Sequence, residues 1–178
     1  FPIGFNFNLG GFTCDRFGIS TEGYISLGAS TQSWSSIQSP SSIPIQFAGG
    51  LSDNMVVALG QNLMMQSGST MKYIVTGSSP NRVLTVEWAG VSRSLVVGDN
   101  VSFQIKLYET SNVIEMVYGS FTTASASTLT GTVGLSGLAT ADYKKVGNTL
   151  LGTTMDNPVV SPTNLVNPFT NERVQWRL

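Results

Sequence analysis

The sequence predicts an all-β fold, an antiparallel two-sheet β-sandwich with roughly ten or more short strands and little helix. Three observations carry this. Short segments alternate apolar and polar residues with a period of two. Glycine- and asparagine-containing turns punctuate them at short intervals. No long stretch shows a 3.6-residue apolar rhythm, and strands do not alternate with helical segments as a parallel sheet requires. With 178 residues the chain can bury a sizeable core. No charged or Pro-rich linker divides it, so residues 1–178 read as one domain. The chain is long for an immunoglobulin domain and lacks the Cys–Trp–Cys spacing of that fold.

Taken in order, "FPIGFNFNLGG" opens a strand with Ile3, Phe5 and Phe7 on one face and Asn6 and Asn8 on the other, closed by the Gly10-Gly11 turn. "YISLG" (24–28) follows the turn-like "STEG". A polar loop, "ASTQSWSSIQSPSS", carries Trp34. "IPIQFA" (43–48) is a further short strand, which Pro44 restricts to an edge or a strand start. "MVVALG" (55–60) is extended, with Asp53-Asn54 as turn chemistry before it. "MKYIVTG" and "RVLTVEWAGV" form a hairpin through "GSSPN", with Leu84, Val86 and Trp88 inward and Thr85 and Glu87 outward.

The most legible stretch is "SFQIKLYETSNVIEMVYGSF" (102–121). Setting Tyr108 against Val113 places Leu107 opposite Ile114, Ile105 opposite Met116 and Phe103 opposite Tyr118. Lys106 then falls opposite Glu115 on the other face, as a charge pair. A one-residue slip would turn the apolar set of one strand outward, so this register is specified. "TVGLSGL" (132–138) is a strand of small residues. Residues 139–171 read as irregular, and "ERVQWRL" closes the chain as a terminal strand.

Composition narrows the chemistry. Only 11% of residues are charged and the formal net charge is −1, which argues against a phosphate-backbone partner. The Lys144-Lys145 pair is too short to reverse that. No apolar run is long enough to span a membrane. No signal peptide is read in these residues. It begins at Phe1 rather than Met, which reads as a piece of a larger multidomain protein.

With no histidine and one cysteine, Ser–His–Asp and Cys–His catalysis, His-containing zinc sites and Cys₄ sites are excluded. Cys14, beside Phe12 and Phe17, reads as a buried small hydrophobe. Glu87 and Glu115 read as solubilising an exposed sheet face; the alternative is a catalytic carboxylate pair. Asp53, Asp99 and Asp156, each followed by Asn, read as turn residues, with one structural calcium site as the alternative. Met64, Met65 and Met71 read as adaptable core fillers, with an exposed binding strip as the alternative. Trp88 reads as core and Trp176 as a core edge. No cofactor is expected.

The candidate ligand-binding residues are Trp34, Gln32, Gln38 and Tyr108. A solvent-facing Trp34 offers a platform to a sugar ring and the glutamines supply hydrogen bonds; otherwise Trp34 is a lid over one end of the sandwich. Tyr108 and Tyr24 are the alternatives for an exposed aromatic face.

The order of these motifs resembles the nidogen-like domains. The opening "FPIGFNFNLGGFTCDRFGISTEGYISLG" has their apolar-aromatic strand, Gly turn and polar–Gly–aromatic step, with Thr-Glu-Gly where that family often has Ser-Asn-Gly. "NRVLTVEWAGV", "VSFQIKLYETSNVIEMVYG" and "TVGLSG" resemble later strands of related modules in secreted and surface proteins of type IX-secreting Bacteroidetes. The resemblance covers residues 1–138 and extends to the terminal "VQWRL". It implies a secreted or cell-surface location and a non-catalytic adhesion or surface-assembly module. Its partners would be a surface glycan, an extracellular or surface protein, or neighbouring domains of the same chain. The alternatives are a carbohydrate-binding module using exposed aromatics and a structural spacer of a secreted enzyme.

Overall fold

A computed structural model describes residues 1–31, 54–94, 96, 98–122, 132–136, 143–146 and 173–176. They form twelve strands and, among the described residues, no helix. In chain order the strands are β1 Pro2–Leu9, β2 Phe12–Ser20, β3 Tyr24–Gly28, β4 Met55–Gly60, β5 Leu63–Met64 and β6 Thr70–Thr76. Then come β7 Val83–Arg93, β8 Asn100–Tyr108, β9 Ile114–Thr122, β10 Thr132–Ser136, β11 Tyr143–Val146 and β12 Arg173–Trp176. Sheet 1 runs β1-β2-β3-β4-β10-β11 and sheet 2 runs β12-β9-β8-β7, with β5 and β6 both paired to the outer edge of β7. Every pairing is antiparallel. The fold is therefore the two-sheet sandwich that the alternation predicts.

One core lies between the sheets. Sheet 1 supplies Ile3, Phe5, Phe7, Leu9, Phe17, Ile25 and Val56, and sheet 2 supplies Leu84, Val86, Trp88, Phe103, Ile105, Leu107 and Met116. The Trp88 and Phe103 rings, on directly paired residues, stack with centroids 4.9 Å apart. β3 and β4 are buried at every position, which is why they read as unbroken apolar runs rather than alternating ones. Tyr24, Met55 and Val57 form a second small cluster on the outer side of sheet 1. Tyr24 is thus no exposed aromatic: it is 4% accessible.

The hairpin of β8 and β9 has the expected register, including Leu107 opposite Ile114, Ile105 opposite Met116, Phe103 opposite Tyr118 and Lys106 opposite Glu115. The Tyr108 amide donates to the Val113 carbonyl at 3.0 Å, closing the "ETSN" turn. The charge pair is corrected. Ion pairs among the described side chains join Asp15 to Arg16, Lys72 to Glu87, Arg82 to Glu109 and Arg93 to Asp99, and Lys106–Glu115 is not among them. Glu115 is also buried rather than solubilising. The reason is topological: β12 pairs beside β9, so β9 is an interior strand.

The same logic corrects the methionines. β5 is a two-residue edge strand with Leu63 turned inward, so Met64 and Met65 are exposed, while Met71 packs partly against the core. Within residues 139–171, read as irregular, Tyr143–Val146 form β11 on β10; beyond them, Arg173–Trp176 pair with β9 as the expected terminal strand. The strand expected at 43–48 lies outside the described residues.

Candidate functional site

The outer face of sheet 2 is the described surface with the most chemistry. The alternation that turns Leu84, Val86 and Trp88 into the core turns Thr85 and Glu87 out, and the paired β8 turns out Gln104 and Lys106. The neighbouring β6 adds Lys72 and Ile74 in the same rows. These residues and Tyr73 line a groove of about 560 Å³.

Its electrostatics centre on Glu87. The Lys72 ammonium lies 2.9 Å from one carboxylate oxygen and the Gln104 amide donates to the other at 2.6 Å. The bond from Lys72, and then that from Gln104, hold the Glu87 carboxyl below the ordinary carboxylate range against the cost of its partial burial. Glu87 is therefore a fixed, paired anion. Beyond it the groove offers the Lys106 ammonium, the Thr85 hydroxyl and the apolar surface of Ile74, which is 59% exposed.

Glu115 lies on the same face, but β8 separates it from β7, and Lys106 and Gln104 stand between the two acids. Its carboxylate accepts the Tyr108 hydroxyl at 2.7 Å. The two acids flank no common gap, so the face does not have the geometry of a glycosidase, in which both carboxyl groups address one bond.

The sequence-predicted site residues are not gathered here. Tyr108 is half-buried on this outer face, two positions along β8 from Lys106. Asp99 precedes the opposite end of β8, is fully buried, and accepts the Arg93 guanidinium at 2.5 and 3.1 Å. Trp34, Gln32, Gln38, Asp53 and Asp156 lie outside the described residues. Among the described residues, no group of three or more His, Cys, Asp or Glu side chains is placed to hold a metal ion. The groove residues that sequence reasoning did not single out as a site were legible from strand parity: once one face is core, the other face is fixed.

The NIDO-related family model matches residues 1–177. The chain belongs to the NIDO-related family. The match runs through residues 139–171 as well as the strands that carry the resemblance. This is a nidogen-like domain. No curated protein and no solved structure matches the chain. No helix among the described residues is long and apolar enough to cross a membrane.

Proposed function

We propose that residues 1–178 form a single non-catalytic adhesion or surface-assembly module, secreted or held at a cell surface, whose contact face is the outer side of sheet 2. The observation that carries this is the groove over β6, β7 and β8, where a neutralised Glu87 leaves Lys106, Thr85 and exposed Ile74 to meet a partner. A pairing of apolar surface with a few fixed polar groups suits recognition of another protein. The partner is an extracellular or surface protein, or a neighbouring domain of the same chain.

The test is binding of the labelled domain to cell surfaces and to a glycan array, with Lys106→Glu and Trp34→Ala compared. Loss of surface binding in Lys106→Glu alone supports the contact face on sheet 2. Loss confined to Trp34→Ala, with a glycan signal, moves the site to residues 29–42 and makes the domain a carbohydrate-binding module. No binding to either makes it a spacer.

A further inference from the structure

Each sheet edge is a row of backbone donors and acceptors that another strand can use, and proteins commonly blunt such edges. Three of the edges here are blunted. β1 carries Pro2, breaks register between Pro2 and Phe7, and has its Gly4 carbonyl taken by the Arg82 guanidinium. β11 and β12 are four residues long, β11 with two lysines among its four. β6 has none of these devices beyond a single lysine. It pairs with β7 through seven consecutive residues without a shift and contains neither Pro nor Gly. Five of its seven residues are exposed, Tyr73 at 40% and Ile74 at 59%. Among the described residues it is hydrogen-bonded in a sheet to β7 alone.

We infer that β6 pairs antiparallel with β6 of a second copy of this chain, about a two-fold axis at Ile74, joining two copies of sheet 2 into one continuous sheet. Strand chemistry selects the register. Directly opposed residues must share a face, so the outer residues Thr70, Lys72, Ile74 and Thr76 can meet only one another. An axis at Lys72 would oppose two ammonium groups. An axis at Tyr73 would set Lys72 against Ile74. The axis at Ile74 sets Ile74 against Ile74, Tyr73 against Val75 and Lys72 against Thr76, so apolar meets apolar and ammonium meets hydroxyl. The pairing is isologous and closes at two copies. A net charge of −1 per chain adds little repulsion. This inference names a partner for the assembly reading above and rests on it.

The experiment is sedimentation of the 178-residue chain over micromolar to millimolar concentrations, with Ile74→Lys as the disrupting variant and circular dichroism as the folding check. The wild type should pass from monomer to dimer and folded Ile74→Lys should remain monomeric. Cysteine cross-linking fixes the register, since Cys14 is fully buried and does not compete. Oxidised Ile74→Cys should give a covalent dimer. Lys72→Cys should cross-link only when mixed with Thr76→Cys. A wild type that stays monomeric throughout, or a folded Ile74→Lys that still dimerises, overturns the inference. Cross-linking of Lys72→Cys with itself overturns the register. If dimerisation fails while Lys106→Glu still abolishes surface binding, the assembly reading survives with another partner. If the chain dimerises and Lys106→Glu leaves surface binding intact, edge pairing stands and the groove reading falls.

Discussion

Arg93 and Asp99 show how little a residue's type says before its surroundings are known. Both are almost fully buried, and the Asp99 carboxylate accepts from the Arg93 backbone amide as well as its guanidinium. Removing one partner of such a pair leaves a buried charge, so Asp99→Ala should cost about 3–5 kcal/mol in urea unfolding. Glu87 answers to pH. Its folded carboxyl is held below its ordinary value of 4.5, chiefly by the bond from Lys72. That contribution is therefore present above the unfolded value and is lost as pH falls through the folded one. Stability measured by denaturation should drop as pH goes below 4.5, and Glu87→Gln should flatten part of that drop. Glu22, pushed up mainly by burial, works in the opposite sense. Folding relief from its charge grows as pH falls, so Glu22→Gln should be neutral or stabilising at pH values well above its titration.

At the scale of elements, turns decide what strand alternation cannot. The β2–β3 turn ends in Gly23 at φ +76°, where an added Cβ would stand 2.2 Å from the Leu59 carbonyl oxygen. That close approach lets the Leu59 and Ala58 amides both donate to the Gly23 carbonyl and seats β4 beside β3. Gly10 also has positive φ, +58°, but an added Cβ meets nothing within 4 Å. Gly10→Ala should cost about 1–2 kcal/mol for its backbone conformation alone. Gly23→Ala should cost about 3 kcal/mol or more, from strain and overpacking together. Equilibrium unfolding of the two variants checks the contrast.

The turn also shows where sequence reading stops. "STEG" announces a turn, yet only the structure shows that Glu22 accepts the Leu63 amide at 3.1 Å and so anchors β5. The β8–β9 register was legible because one face is apolar and the turn length is fixed. β2 was not, because it breaks alternation: its register with β1 shifts between Pro2 and Phe7, so Cys14 and Phe17 are both buried three residues apart. β7 was legible only in its first half. At Gly90, φ +67°, its register shifts, β5 replaces β6 at its edge, and the freed Gly90 carbonyl accepts from Gln66 and Ser69. The outer-face groove follows from parity, but its closure by the edge residues Tyr73 and Ile74 depends on which strand lies beside β7, which is a long-range fact.

For the whole molecule, the question is whether two sheets behave as one body. They share a single apolar core, and side chains carry hydrogen bonds across it. The Trp88 indole N–H on β7 donates to the Ser20 carbonyl on β2 at 2.9 Å, and the Tyr118 hydroxyl on β9 donates to the Ala58 carbonyl on β4 at 2.6 Å. Each gives the polar tip of a buried aromatic a partner on the opposite sheet. Tyr118→Phe keeps the ring and removes the hydroxyl, leaving the Ala58 carbonyl without that donor. The loss should be about 1–3 kcal/mol. Because the bond links both sheets, the loss should be seen from both. Cys14 on sheet 1 is buried and its thiol is pushed up to about 12, mainly by burial and then by Asp15, so it should react with a thiol reagent only when the chain opens. The stacked Trp88 and Phe103 report on sheet 2 through near-ultraviolet circular dichroism. A shared core predicts one transition, with thiol exposure and aromatic dichroism changing at the same urea concentration. Tyr118→Phe should lower both midpoints equally. A variant that released the Cys14 thiol before the aromatic signal was lost would show that sheet 1 opens alone, and that the hydroxyl bond, rather than the apolar core, couples the layers.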